Sequence, residues 1–153
     1  MLRMTHLFYN NTIMTIAVDF DGTIVEHRYP EIGCEIPFAT DTLKMLAKKG
    51  HRLILWSVRE DKLLDEAVAW CRDRGLEFYA VNKDYPEEGL NHDNYSRKLK
   101  VDLFIDDRNI GGLPDWGLIY RMITEHKSYR DILIEEFNTE TTPQSKRKWW
   151  QFG

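Results

Sequence analysis

The segment Asp19-Phe20-Asp21-Gly22-Thr23 places two carboxylates one residue apart, where an apolar run, residues 13–18, meets a glycine turn. Side chains at positions i and i+2 of a strand point to the same side. One carboxylate can therefore lie against a phosphorus atom while the second lies beside the leaving oxygen. Like charges this close repel and lose hydration unless a cation lies between them. The pair thus predicts a hard divalent ion, and Mg²⁺ is the best fit.

An Asp-x-Asp pair alone often does no more than solvate a turn, so the rest of the chain must support this interpretation. Downstream, one apolar strand ends at Ser57, and Lys98 precedes a second apolar strand that ends in Asp106 and Asp107. In this order, the features resemble the four motifs of the haloacid dehalogenase (HAD) superfamily of aspartate-nucleophile phosphohydrolases. The resemblance covers roughly residues 14–123.

Segments with strand and helix patterns alternate along the chain. Strands are predicted at 13–18, 52–56, 77–81 and 101–105, helices at 39–49 and 61–74, and a further helix after Pro114. Strands joined by helical crossovers form right-handed units in a parallel sheet with helices on both faces. The predicted fold is therefore α/β, a three-layer Rossmann-like parallel sheet. Such sheets bind ligands at the carboxyl ends of their strands, which is where Asp19, Ser57 and Asp106 fall.

The predicted HAD-like domain covers residues 13–137, between a flexible extension at 1–12 and a polar, basic tail at 138–153. Most members of the superfamily carry a cap domain. Here, the two usual insertion points hold only Ile24–Pro37 and Asn82–Ser96, which are too short to fold as a lid. The chain therefore resembles the small capless branch, including uncharacterised HAD hydrolases of Bacteroides-like bacteria. A neighbouring subunit of a homo-oligomer could supply the missing lid.

The resemblance implies a role for each acid. Asp19 would attack phosphorus to give an aspartyl phosphate, and Asp21 would protonate the leaving alcohol and then deprotonate water. In the family, the ion is held by the first carboxylate, the backbone carbonyl at the second acid and an acid of the last motif. These correspond to Asp19, Asp21 and Asp106. Asp107 would ligate the ion through water or orient the lysine.

Ser57 and Lys98 are implied to contact the non-bridging phosphoryl oxygens, where charge is stabilised during transfer. The lysine has alternatives, because Lys100 also precedes the fourth predicted strand and Lys83 follows the third. Lys98 is preferred because it follows a Ser-Arg pair at a predicted helix start. This spacing resembles that of capless deoxynucleotidases.

Four further residues are candidates for substrate binding: Gly22, Thr23, His27 and Arg59. Gly22 and Thr23 form the turn after the paired acids. Arg59, two residues beyond Ser57, either adds a fork to the phosphate or caps the second helix. His27, in the loop expected to overhang the site, either reads the leaving group or is a solvated loop histidine.

Composition and apolar segments indicate the expected localisation and binding partners. The balance of 21 basic against 25 acidic residues gives a net charge of −4, so electrostatics indicates neither nucleic acid nor an anionic membrane as an obligatory partner. No apolar run is long enough to span a membrane, and residues 1–11 lack the apolar stretch of a signal peptide. We therefore expect a cytoplasmic protein, and the family resemblance implies that it acts on a small phosphorylated substrate. Cys34 and Cys71 do not make a disulfide framework, and Cys71 is expected in a helix core.

Other functions fit the sequence less well. A two-component receiver domain carries its phosphorylated aspartate after a middle strand, a dehalogenase has no need of Asp21, and a kinase would need a Gly-x-x-x-x-Gly-Lys-Ser/Thr loop. A catalytically silent phosphate- or nucleotide-binding module on the same fold stays open, because fold does not fix function. The predicted function is therefore Mg²⁺-dependent hydrolysis of a phosphate monoester.

Overall fold

The computed structural model describes residues 12–89 and 98–141. In these ranges the chain forms β1 (Thr15–Val18), α1 (Ala39–Lys48), β2 (Arg52–Leu55), α2 (Asp61–Asp73), β3 (Ala80–Val81), β4 (Leu103–Ile105), α3 (Trp116–Thr124) and α4 (Tyr129–Thr141). Most of the predicted N-terminal extension and of the C-terminal tail lies outside the described residues. Helix α4 continues past residue 138, where the tail was predicted to begin.

The strands form one parallel sheet in the order β3-β2-β1-β4. In the register, Ala17 of β1 lies opposite Ile54 of β2 and Phe104 of β4. Parallel neighbours need a long crossover, which α1 supplies between β1 and β2 and α2 between β2 and β3. The predicted α/β fold with a parallel sheet is confirmed, and the described ranges contain no cap domain.

The core lies around the two central strands. Ile16, Ala17 and Val18 of β1 are essentially inaccessible to solvent, as are the last three residues of β2. Central strands of a parallel sheet are covered on both faces and so consist of continuous apolar runs. Cys71 of α2 is fully buried, as predicted, and this burial raises the pKa of its thiol to about 12.

Strands β1 and β4 each begin two residues later than predicted, and two further elements differ more from the sequence prediction. Strand β3 contains only Ala80–Val81, because hydrogen bonding to β2 begins at Tyr79, whose N–H donates to Leu53 O at 2.8 Å. Helix α4 was not predicted. Its start is fixed by Ser128 and Asp131, since Asp131 Oδ2 accepts from Ser128 N at 2.9 Å and Asp131 N donates to Ser128 Oγ at 3.2 Å. This reciprocal pair is a capping box.

The chain divides into two compact units, one ending at Trp116 and the other beginning at Gly117. The first contains the whole sheet. In the second, Lys127 Nζ lies 2.8 Å from carboxylate oxygens of both Glu125 and Glu135. Across the described ranges, none of the helices has the length and apolar character that crossing a membrane requires.

Candidate active site

The carboxyl ends of the strands open onto a cavity of about 490 Å³. It is lined by Asp19, Asp21, Trp56, Ser57, Val58, Glu60, Asp106 and Arg108. These residues follow β1, β2 and β4, so the parallel sheet itself brings them together. The location is the one expected for ligand binding in an open α/β sheet.

Three carboxylates converge where β1 and β4 end. One oxygen from each of Asp19, Asp106 and Asp107 lies within 4.8 Å of the others. Asp19 N donates to Ile105 O at 2.9 Å, which keeps the two strands aligned up to the first acid. Burial raises the pKa of Asp19 to about 7, and the negative charges of Asp106 and Asp107 contribute to the increase. The cluster therefore concentrates negative charge in a partly desolvated position.

Gly22 and Thr23 build this cluster. Gly22 has φ +90°, and a Cβ atom there would lie 2.3 Å from Asp107 Oδ2, so only glycine lets the two turns approach this closely. The Thr23 hydroxyl donates to Asp19 Oδ2 at 3.3 Å and accepts from Asp107 N at 3.0 Å. Thr23 is fully buried. Both residues were predicted to bind substrate, and the structure shows them connecting the turns that carry the acids.

The acid cluster has the chemistry of a cation site. Asp107 Oδ1 is buried and has no hydrogen-bond partner in the part of the chain that the structure describes. A buried oxygen without a partner costs free energy, and a cation would supply the missing interaction. Carboxylate oxygens are the donors that hard divalent cations prefer. Asp19, Asp106 and Asp107 could therefore hold such an ion together.

Asp21 lies in a different environment, although it is only two residues from Asp19. Its carboxylate is paired with Arg59, whose Nε donates to Oδ2 at 2.7 Å and whose Nη2 donates to Oδ1 at 2.7 Å. The Arg59 side chain is fully buried and that of Asp21 is 5% exposed. Two parallel, charge-assisted hydrogen bonds fix both the position and the orientation of a carboxylate. Asp21 is therefore held rigidly at the edge of the cavity.

Arg59 also holds the segment Ile24–Pro37, which we call the flap. The flap folds back on itself, with Val25 bridging Glu35 in antiparallel fashion. Arg59 Nη1 donates to Pro30 O at 2.9 Å and Nη2 donates to Glu31 O at 2.8 Å. Its guanidinium carbon lies 5.3 Å from the ring centroids of both Phe20 and Tyr29. One side chain thus connects the end of β1, the loop after β2 and the flap.

Comparison with solved structures finds a conserved protein coded by a locus from Bacteroides thetaiotaomicron. The two sequences are 73% identical over 78% of this chain and 97% of that chain, and the TM-score is 0.74. The chain belongs to the family of this Bacteroides protein. No family profile matches the chain, and no curated protein does.

In this member of the family, Ser57 is positioned by a residue that the sequence analysis did not identify. The Asn82 side chain accepts from Ser57 N at 2.8 Å through Oδ1 and donates to Ser57 O at 2.9 Å through Nδ2. Asn82 has a left-handed backbone, with φ 52°, which asparagine tolerates better than most residues. Its amide continues the pairing of β2 with β3 by one step beyond the strand end. The signal in the sequence was the position of Asn82 directly after β3, at the carboxyl end of a strand.

The candidate lysines do not line the described cavity. Lys98 is exposed, and its Nζ lies 6.0 Å from the centroid of the Phe104 ring. Lys100 N donates to Asp84 Oδ1 at 2.6 Å, and Lys83 Nζ donates to Pro86 O. The segment 90–97, including the predicted helix start before Lys98, lies outside the described residues. The choice among the three lysines stays a prediction.

The two remaining substrate-binding candidates lie in contrasting places. His27 is exposed in the flap, beside an ion pair between Glu26 and Arg28 at 3.2 Å. Arg59 is buried, and the hydrogen bonds of its guanidinium go to Asp21 and the flap. The guanidinium does not cap α2 in the described residues, and a contact of Arg59 with phosphate stays a prediction. A second residue not identified from sequence, Arg108, lies in the cavity wall.

Proposed function

We propose that this chain is a Mg²⁺-dependent phosphohydrolase of the HAD type, which cleaves a small phosphate monoester through an aspartyl phosphate on Asp19. The observation that carries the proposal is the acid cluster at the ends of β1 and β4. In it, the buried Asp107 Oδ1 has no hydrogen-bond partner among the described residues. Such an arrangement is costly for a protein that binds nothing there.

The first chemical step belongs to Asp19. One carboxylate oxygen forms a bond to phosphorus while the ester P–O bond breaks and the leaving oxygen takes the bonding electrons. Thr23 holds Asp19 Oδ2 through a hydrogen bond of 3.3 Å, which orients the carboxylate for attack. When bound, Mg²⁺ supplies neutralisation of the phosphoryl charge, and Asp19, Asp106 and Asp107 would hold it.

Asp21 is the candidate for moving the proton. It would give a proton to the leaving oxygen and later take one from the water that attacks the aspartyl phosphate. Asp21 lines the cavity although its side chain is 5% exposed, and Arg59 fixes its orientation. Proton transfer requires one Asp21 oxygen to exchange an Arg59 hydrogen bond for one to substrate or water.

Ser57 is the candidate for contact with a non-bridging phosphoryl oxygen. It follows β2 in the cavity wall, and Asn82 fixes its backbone on both sides. Its hydroxyl already accepts from Arg59 N at 3.2 Å, so the hydroxyl proton remains available for an oxyanion. Lys98 is proposed to supply a positive charge to the same group, as in the family resemblance.

A second function is favoured by one observation, the engagement of Asp21. Both of its oxygens accept hydrogen bonds from a buried arginine, which suits a structural role as well as a chemical one. The corresponding alternative is a catalytically silent module that binds phosphate or a nucleotide together with a cation. This alternative predicts Mg²⁺-dependent binding of phosphate without turnover.

The deciding experiment compares phosphatase activity on a panel of phosphate esters for wild type, Asp19→Asn and Asp65→Asn. Asp65 is an exposed residue of α2 and receives the same chemical change away from the site. We expect Mg²⁺-dependent turnover in wild type and in Asp65→Asn. Asp19→Asn should lose at least about 10³-fold in kcat, because the nucleophile and an ion ligand disappear together. Substantial hydrolysis by Asp19→Asn, or full wild-type activity in excess chelator, would contradict the aspartyl mechanism.

A further inference from the structure

The cavity is lined by a positively charged side chain that the proposed mechanism does not use. Arg108 lines the cavity together with Asp19 and Asp106. Its backbone N donates to Asp106 Oδ1 at 2.8 Å, which ties the residue to the acid turn, while the residue as a whole is exposed. Over residues 12–89 and 98–141, no hydrogen bond or ion pair engages its guanidinium.

Arg108 differs in this respect from Arg59, the other arginine near the cavity. Arg59 is buried and makes four side-chain hydrogen bonds to protein acceptors. Arg108 is exposed and has its planar donors available. A guanidinium matches the two oxygens of a carboxylate or phosphate by a pair of parallel hydrogen bonds. An available arginine beside an acid cluster therefore favours an anion that approaches from the cavity opening.

Apolar surface also lines this cavity, on the side where β2 ends. Trp56 packs against the core with part of its side chain and also lines the cavity. Val58 lines it too, although 70% of its surface is exposed. Exposed apolar atoms at a binding cavity give a carbon chain a surface to pack on. A ligand that combines oxyanions with a short carbon chain matches this cavity better than inorganic phosphate does.

We infer that Arg108 binds a second oxyanion on the leaving group, so that the substrate class is a phosphate monoester of a short carbon chain bearing a carboxylate or a further phosphate. This inference rests on the proposed function for the assignment of the reacting phosphate to the acid cluster. Glu60 directly precedes α2 and also lines the cavity. Its negative charge repels a second oxyanion on that side of the cavity. Arg108 is then a substrate-binding residue that determines specificity.

Binding of non-hydrolysable ligands tests the inference without turnover. The ligands are propylphosphonate, 3-phosphonopropionate and propane-1,3-diphosphonate, titrated calorimetrically into protein with Mg²⁺. Wild type should bind the two ligands with a second oxyanion roughly tenfold more tightly than propylphosphonate, because hydrogen bonds to charged groups contribute at this level. Whichever of the two binds better identifies the second group as carboxylate or phosphate.

Two variants make the test specific. Arg108→Ala should abolish the preference, because it weakens the two ligands with a second oxyanion roughly tenfold more than it weakens propylphosphonate. Lys62→Ala is the matched control for loss of one positive charge, because its side chain is 88% exposed and pairs only loosely with Glu66 at 3.5 Å, and it should retain the preference. The inference is overturned if wild type shows no preference, if the preference survives in Arg108→Ala, or if Arg108→Ala weakens all three ligands equally.

The outcomes also separate this inference from the proposed function. Hydrolysis of aryl phosphates without a preference that depends on Arg108 would refute the inference and leave the phosphatase proposal intact. A preference that depends on Arg108, in a protein that hydrolyses no ester, would support the binding site and refute the phosphatase proposal.

Discussion

Asp21 and Asp107 lie at the same end of the sheet, but their carboxylates differ in whether they have a hydrogen-bond partner. Arg59 donates to both oxygens of Asp21 at 2.7 Å. Asp107, by contrast, shares its position with Asp19 and Asp106, and its buried Oδ1 has no partner in the described ranges. The first acid is neutralised by the protein itself. For the buried oxygen of the second, the described residues provide no partner.

This difference separates residues that stabilise the fold from residues that bind a ligand. A buried ion pair with every donor satisfied is costly to break, whereas like charges placed together are costly to keep. We therefore propose that Arg59 stabilises the fold and fixes the position of Asp21, while the acid cluster binds the ligand. Four measurements test this assignment, in decreasing order of the change we expect.

Removing Arg59 should destabilise the protein strongly. Arg59→Met leaves the Asp21 carboxylate buried without its partner, and breaking a buried pair in this way costs about 3–5 kcal/mol. The free energy of unfolding from urea denaturation measures the loss. The double variant Asp21→Leu with Arg59→Met should recover part of it, since no buried charge is then unpaired. A loss below about 1 kcal/mol for Arg59→Met would show that Asp21 is hydrated and not dependent on the pair.

The acid cluster should respond in the opposite direction. Without a divalent cation, Asp107→Asn should stabilise the protein by roughly 1 kcal/mol, because it removes one of three repelling charges. With Mg²⁺ at ten times its dissociation constant, wild type should gain about 1.4 kcal/mol, and Asp107→Asn should gain much less. Thermal unfolding with chelator and with Mg²⁺ measures both. An equal gain in Mg²⁺ for wild type and Asp107→Asn would contradict the cation site.

The pH dependence of stability should report Asp19. Its pKa is raised from 3.8 to about 7, mainly by burial, so the folded state holds this proton more tightly than the unfolded chain does. In chelator, the contribution of Asp19 is therefore fully present below about pH 4 and is lost as the pH rises through 7. Asp19→Asn lacks this titration.

The measurement is urea unfolding of both proteins between about pH 5 and 8. The stability of wild type relative to Asp19→Asn should fall across this range in chelator. In Mg²⁺ the decline should be smaller or reversed, because the ion and the proton compete for the same oxygens. Parallel curves in chelator would mean that Asp19 ionises as an ordinary exposed acid.

The smallest effects belong to the flap. Replacing Glu26, His27 and Arg28 by alanine should change stability by less than about 0.5 kcal/mol, because all three are exposed. Tyr29→Leu should cost roughly 0.5–1 kcal/mol, since its ring lies against the Arg59 guanidinium. If the triple variant changes the ranking of substrates, the flap contributes to selectivity. If Tyr29→Leu has no effect, the ring does not support the Arg59 pair.

Local sequence patterns predicted the parts of the site that depend on strand ends. Asp19, Ser57 and Asp106 each follow an apolar strand, and a parallel sheet brings such ends to one edge regardless of the loops between them. The requirement for Gly22 also follows locally, because a turn directly after the paired acids favours a residue with positive φ. The fold class rests on the same alternation of strand and helix patterns.

Contacts between distant positions could not be predicted in this way. Arg59 is 38 residues from Asp21, and no periodicity indicates which acid an arginine will meet. Asn82 contacts Ser57 across 25 residues, and its position after β3 does not by itself indicate which residue its amide meets. Helix α4 differs from these contacts, because a local signal for its start, Ser128-x-x-Asp131, is present in the sequence.

The four hydrogen bonds of Arg59 limit how this protein can be re-engineered. Exchanging the flap for a loop from a relative is the usual route to a new substrate range, and it treats the loop as a portable module. Here the flap carbonyls of Pro30 and Glu31 are held from the loop after β2. A graft that keeps Arg59 without carbonyls in those positions would leave two of its N–H donors buried without acceptors. The transferable unit is therefore the flap together with the loop that carries Arg59, and libraries should vary the two as one.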